Sequence, residues 1–184
     1  MIRKIVLYGD PVLRRKGDRV GQIDQNLLKL VDDMFDTMRN ARGIGLAAPQ
    51  VGVSIQLAIV EVPSDDKSVS YLRVNGQDMS LENLMPLVFV NPEIEGGKRR
   101  EVMQEGCLSF PDLRIPVPRP AEIKATLTLL DGQKIVLETD GLLARAIQHE
   151  TDHLNGILFI HRVSSAAKVT LKRKLAEFKL AYTD

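Results

Sequence analysis

Apolar residues at helical spacing mark the first clear element of the chain. Leu27, Leu28, Val31, Met34, Phe35 and Met38 recur at intervals of three and four, the period of one helix face. Asp24 stands where an N-cap belongs, and Gly43 stands where such a helix would end. Upstream, Gly9 to Arg15 reads as a turn into a short helical piece. Downstream, Gly43 to Gln50 reads as a loop and the apolar run Ile55 to Val62 as a strand. The polar stretch over residues 63–86 predicts a surface excursion with room for a short hairpin, and it is the favoured place for disorder. Leu87 to Ile94 resumes as a strand.

The second half is patterned more sharply. Ser109 to Pro120 carries four prolines, which excludes helix and predicts extended chain at a sheet edge. Ile123 to Leu130 and Lys134 to Thr139 flank Asp131-Gly132, a dipeptide favoured in two-residue hairpin turns. A helix is predicted from about Leu142 to Leu154, with Asn155-Gly156 as its stop. An amphipathic helix over 165–182 follows, its apolar stripe being Leu171, Leu175, Phe178 and Tyr182. Strands in the middle with helices at both ends make an α+β pattern rather than a β-α alternation.

Composition narrows the class. With 184 residues, one domain is the simplest organisation, because two halves would each bury a small core. The formal charge of +1 argues against dedicated nucleic-acid binding. One cysteine, Cys107, permits no intrachain disulfide, and no apolar run approaches the ~18 residues of a membrane span. A soluble, cytoplasmic protein without membrane attachment is expected.

The chemistry lies in Gln148-His149-Glu150-Thr151-Asp152-His153. Residues four apart sit about 40° apart around a helix, so both imidazoles can converge on one ion. Glu150, rotated by about 100°, can reach water at that ion without being a ligand. A divalent metal brings bound water towards neutral pKa, and a carboxylate can then take and deliver its proton. The identity of a third ligand decides the kind of enzyme. A metzincin protease would place histidine at position 159, where this chain has Phe159, and His161 comes two residues late. A gluzincin protease would need a downstream glutamate, and Glu177 lies among lysines as a surface charge. Upstream, Cys107 follows a glycine and precedes the proline-rich segment. A buried cysteine is usually a small core residue, yet Cys/His/His with an open fourth position is a known catalytic arrangement. On the residues alone, both readings of Cys107 stand.

Three short segments together resemble the peptide deformylase family: Gly43 to Gln50 (GIGLAAPQ), Glu105 to Ser109 (EGCLS) and Gln148 to Leu154 (QHETDHL). The resemblance runs from about Asp10 to Arg162. The Ser109-Phe110-Pro111 continuation and the terminal helix resemble the bacterial class that includes the Gram-negative enzymes. It implies removal of the formyl group from N-formylmethionine at the start of nascent polypeptides, and a fold of antiparallel strands around the motif helix. It implies Cys107, His149 and His153 as ligands to one divalent ion, natively Fe(II), with zinc, nickel or cobalt able to replace it. Metal-bound water would attack the formyl carbon while Glu150 accepts its proton and later protonates the leaving amine. The side-chain amide of Gln50 and the backbone N–H of Leu108 would donate to the oxyanion, and Gly45 would hydrogen-bond the substrate backbone.

The family's methionine pocket maps onto Ile44, Leu142, Arg145 and Ala146. Leu142 and Ala146 share a helix face with His149. Arg145 departs from the aliphatic residue of many relatives; its stem could line the pocket while its guanidinium reaches solvent. Arg114 maps to a position that contacts the substrate further along its chain. Asp152 reads as a supporting or surface carboxylate rather than a ligand. Lys168, Lys172, Arg173, Lys174 and Lys179 form a basic face on the terminal helix, and docking on ribosomal RNA is the matching hypothesis. The competing readings are a zinc endopeptidase of the H-E-x-x-H type and a non-catalytic domain held by a closed metal site.

Overall fold

A computed structural model describes residues 1–65 and 68–182. Helix α1 (Gln25–Asn40) begins where the apolar period begins, with the Asp24 carboxylate accepting from the Leu27 N–H. Its buried face, including Met34 and Met38, packs with Leu46, Leu57 and Ile59. Strand β1 (Gly45–Ala47) pairs antiparallel with β2 (Leu57–Val60), and every residue of both strands is buried. The expected loop over 43–50 is therefore corrected. Its first half is an edge strand, and Ala48–Val51 forms a 3-10 turn, because Gly45 to Ala47 find backbone partners at Ala58 to Val60.

The polar stretch after β2 contains β3 (Leu72–Val74), β4 (Gln77–Asp78) and the one-turn helix α2 (Leu81–Leu84). The predicted hairpin is present: Asn75 and Gly76, both at positive φ, form a two-residue turn between β3 and β4. Residues 66 and 67 of that stretch lie outside the described residues. Strands β5 (Leu87–Gly96), β8 (Glu122–Thr128) and β9 (Lys134–Asp140) complete a seven-stranded sheet in the order β1-β2-β5-β8-β9-β3-β4, all its pairs antiparallel. The connection between β8 and β9 differs from the expected two-residue turn. The Leu129 N–H donates to the Gln133 carbonyl, which leaves three loop residues with Gly132 at φ 83°.

Strand β6 (Arg100–Cys107) has no periodic apolar signal and was not anticipated. It pairs with the proline-rich β7 (Phe110–Pro120) in a separate two-stranded sheet. Proline is tolerated in β7 because no third strand of this sheet needs its missing N–H groups. Helix α3 (Gly141–Leu154) carries the motif and packs against β1, β2, β8 and β9, burying Leu143, Ala144 and Ile147 beside Phe89, Leu127 and Leu137. Helix α4 (Ala167–Tyr182) buries Leu171 and Phe178 in a second core with Phe110, Val117 and Phe159. Among the described residues no helix is long and apolar enough to cross a membrane.

Candidate metal centre and cleft

Two elements deliver the chemistry to one place. Cys107 ends β6 where the β6–β7 register slips between Gly106 and Cys107, and α3 brings His149 and His153 from the other side. One donor atom from each of Cys107, His149 and His153 lies within 4.8 Å of the others. Cys107 Sγ is 3.3 Å from His153 Nε2. His149 turns its Nδ1 to Glu105 Oε2 at 3.0 Å, which leaves Nε2 for the cluster. Glu150 is buried in the same cleft, and its Oε2 has no partner among the described residues.

These residues fit a single metal ion. Bonds of about 2.3 Å to sulfur and about 2.0 Å to nitrogen at a tetrahedral angle separate the ligand atoms by roughly 3.5 Å, close to the observed sulfur–nitrogen spacing. A thiolate with two imidazoles suits zinc, iron, cobalt or nickel and by itself selects none of them. The carboxylate behind His149 is the partner that metal-ligating histidines ordinarily have.

The electrostatics follow from burial and from one carboxylate. Burial alone would raise the Glu105 carboxyl, but the bonds from His149 and Arg119 outweigh it and hold it at about 2. Burial would lower His149, yet its bonds to Cys107 and Glu105 reverse the direction and raise it to about 10. Burial, with the positive charges of His149 and Arg119, pushes His153 well below its usual value. Burial pushes Glu150 up to about 7 against the pull of His149 and Arg119.

Residues 2–169 match the family model of the polypeptide deformylases. The chain belongs to the polypeptide deformylase family. Its relatives include peptide deformylases of Methylacidiphilum infernorum, 44% identical over 179 residues (97% of this chain and 94% of that one), and Opitutus terrae, 42% identical over 173 residues (93% and 90%). Among solved structures, the peptide deformylase of Ehrlichia chaffeensis in complex with actinonin superposes with a TM-score of 0.84 at 31% identity, covering 100% of this chain and 99% of that one. The Thermotoga maritima enzyme gives 0.76 at 37% identity, covering 89% and 99%. Membership of the deformylase family makes the protein a hydrolase.

In this deformylase fold, a cleft of about 980 Å³ collects nearly all the residues singled out in the sequence: Ile44, Gly45, Gln50, Cys107, Leu108, Arg114, Leu142, Arg145, Ala146, His149 and Glu150. His153 lies beneath it, 1% exposed. A smaller depression of about 460 Å³ between Val20–Ile23 and the β8–β9 turn shares no lining residue with the cleft, and Asp131 is its one charged group. Gln50 is anchored from both ends. Its Oε1 accepts from the Ala47 N–H at 2.9 Å, and its Nε2 donates to Ser109 Oγ at 3.2 Å and faces Cys107 Sγ at 3.5 Å. Gly45 lies against Glu150: a Cβ there would collide with Oε1 and stand 2.9 Å from Cδ. Phe159, which fills the metzincin ligand position, packs 5.7 Å from the His149 ring. His161 accepts the Leu158 N–H through Nδ1, and the exposed Glu177 pairs with Arg173.

Arg145 is where the expectation needs correcting. Its guanidinium does not reach solvent. The residue is 6% exposed, and Nη1 donates to Glu105 Oε1 at 2.6 Å and to the Val117 carbonyl at 2.9 Å. Asp152 is buried rather than superficial; it accepts from Arg119 at 2.7 Å and from Arg162 at 2.6 Å. The residues that sequence reasoning passed over are Glu105 and Arg119. Glu105 stands two residues before Cys107, on the same strand face, and that period of two is the signal that could have found it.

Proposed function

We propose that this chain removes the formyl group from the N-terminal formylmethionine of newly made polypeptides, with one divalent ion held by Cys107, His149 and His153. The observation that carries the reading is the convergence of those three donors beside a buried glutamate whose Oε2 has no partner among the described residues. Iron(II) is the expected native ion, with zinc, nickel or cobalt as replacements. When bound, the ion polarises a carbonyl oxygen and makes water at the site more acidic.

The protein's own groups do the rest. Glu150, whose carboxyl burial raises above the usual carboxylate range, would take the proton of the attacking water on Oε2 and return it to the departing amine nitrogen. The Gln50 amide, fixed through Ala47 and Ser109, and the Leu108 N–H donate to the oxygen of the formyl carbon as charge builds there. Gly45 lines the cleft and would bond the peptide through its backbone, while its missing Cβ makes room for the Glu150 carboxylate. Ile44, Leu142, Ala146 and the stem of Arg145 line the place for the methionine side chain, and Arg114 meets the chain beyond it. Both walls of the cleft come from across the sequence, which supports 1–184 acting as one catalytic domain.

A formyl-Met-Ala-Ser peptide should be deformylated while a blocked internal peptide stays intact. Cleavage of the internal peptide would establish an endopeptidase instead. Glu150→Ala should keep the metal and lose activity by about 10²–10⁴-fold or more; a wild type with no activity to lose would leave only a structural metal domain. The cytoplasm is the expected compartment. The basic face of α4, with Lys168, Lys172 and Arg173 exposed, is proposed to dock on the ribosome. Charge reversal at Lys172, Arg173 and Lys174 should weaken low-salt co-sedimentation with ribosomes, and unchanged binding would remove that proposal.

A further inference from the structure

Glu105 is saturated. An ionised carboxylate has about four lone-pair sites, and Glu105 receives four donors. Oε1 accepts from Arg119 Nε at 2.6 Å and Arg145 Nη1 at 2.6 Å; Oε2 accepts from Arg119 Nη2 at 3.0 Å and faces His149 Nδ1 at 3.0 Å. Two of these groups, Arg145 and His149, lie one turn apart on α3, so one helix grips the two oxygens of a single carboxylate. That carboxylate sits two residues before Cys107 on β6. Arg145 also reaches past it: Nη2 donates to the Glu101 carbonyl of β6 at 2.9 Å, and Nη1 to the Val117 carbonyl of β7.

The three metal donors come from two elements, the end of β6 and the face of α3. Their mutual spacing depends on how these elements are held against one another. Packing alone does this poorly along β6, where residues 100–104 are exposed. Arg145 supplies a tie of its own through three bonds to β6 and β7, all made from a position four residues before His149. Arg119 of β7 makes a second tie, with its fork on Glu105 of β6 and its third nitrogen on Asp152 of α3. The two arginines thus hold β6 against α3 at two points, Arg145 being the one whose own backbone is part of α3.

We infer that Arg145 is a positioning residue for the metal site, acting through Glu105 to hold His149 and Cys107 at ligand spacing, and that its charged end makes no contact with substrate. The inference rests on the proposed metal site. Its consequence falls on the ion before it falls on the substrate. Partners one step behind metal ligands typically alter affinity by about 10–100-fold when removed.

The test is chelator competition for Zn²⁺ on stripped wild type, Arg145→Met and Arg145→Lys, with the visible spectrum of the Co²⁺-loaded proteins recorded beside it. Arg145→Met, which keeps an apolar stem in the cleft, should weaken Zn²⁺ retention by about 10–100-fold and move the Co²⁺ bands, with KM for a formyl-Met peptide measured at saturating metal. Arg145→Lys should restore part of the retention, since an ammonium can serve Glu105 without spanning both strands. If Arg145→Met does not fold, Arg145→Lys carries the test alone, with a loss of retention of about 3–10-fold and a shifted Co²⁺ spectrum expected. Unchanged Zn²⁺ affinity and Co²⁺ spectrum overturn the inference, whether or not melting temperatures fall. So does a rise in KM with the metal held normally, which would make Arg145 a substrate contact. A wild type that binds no Zn²⁺ at Cys107, His149 and His153 overturns the underlying metal reading instead.

Discussion

Glu150 is held where its neutral form is preferred, and this should be visible as a stability cost in the metal-stripped protein. The residue is 5% exposed, Oε2 has no partner among the described residues, and burial raises its pKa from 4.5 to about 7. Below pH 4.5 the carboxyl is protonated in both folded and unfolded chains, so it carries no penalty. Between 4.5 and about 7 the unfolded chain ionises and the folded one resists, and stability falls as pH rises. Above 7 both states are ionised and the loss is constant. At about 1.4 kcal/mol per pH unit the full interval amounts to about 3 kcal/mol. Glu150→Gln keeps the shape and removes the ionisation. Its amide brings new donors that cost about 1–3 kcal/mol, but that cost does not titrate. It shifts the whole curve and leaves the slope alone. Urea unfolding of both stripped proteins from pH 4.5 to 8.5 should show the variant gaining about 3 kcal/mol on the wild type across the range. A difference that stays flat within about 1 kcal/mol would refute the claim that burial sets the Glu150 pKa.

Gly45→Ala should drive its Cβ into the Glu150 carboxylate and lower kcat by about 100-fold or more, with far-ultraviolet circular dichroism unchanged; a variant retaining full kcat would show the contact to be irrelevant. Gln50→Ala removes the anchored amide and should reduce kcat by about 10²–10³-fold while metal analysis still finds one ion per chain. Arg119→Met leaves Glu105 and Asp152 short of a buried partner, and urea denaturation should show a loss of about 3–5 kcal/mol; a loss under 1 kcal/mol would mean water or Arg162 replaces it.

Much of the fold was legible wherever the period of apolar residues was long. Helix α1 starts at Asp24 and α3 stops at Asn155-Gly156 because capping chemistry is local, and local chemistry is written in adjacent residues. The failures have the opposite character. Gly45 to Ala47 looked like a loop because three residues carry no period; only pairing with Ala58 to Val60, across the 3-10 turn, makes them a strand. Strand β6 was missed because its first five residues are exposed and its partner is a proline-rich segment. Loop length at Asp131-Gly132 was misjudged because the closing bond is set by Leu129 and Gln133, outside the dipeptide that carried the turn signal.

The site divides along the same line. The histidines and Glu150 share one helix, so their spacing alone gave their geometry, and a three-segment resemblance supplied Cys107 and Gln50. What neither could supply is the charge arrangement behind them. Glu105, Arg119, Arg145, Asp152 and Arg162 come from β6, β7, α3 and the turn beyond it, and no two of them form a motif. Glu105, Arg119 and Arg162 carry no sequence signal of burial in their residue type, because the prior for an isolated arginine or glutamate is exposure, and Arg145 reads as a pocket residue with its charge in solvent. Burying Arg145 without a counter-charge would be prohibitive, so its depth in the structure is itself an argument that Glu105 is ionised and fixed. The same fixed carboxylate orients His149. Burial of charge behind the ligands and order among the ligands are therefore one arrangement, and a substitution at Arg145 cannot disturb the first without reaching the second.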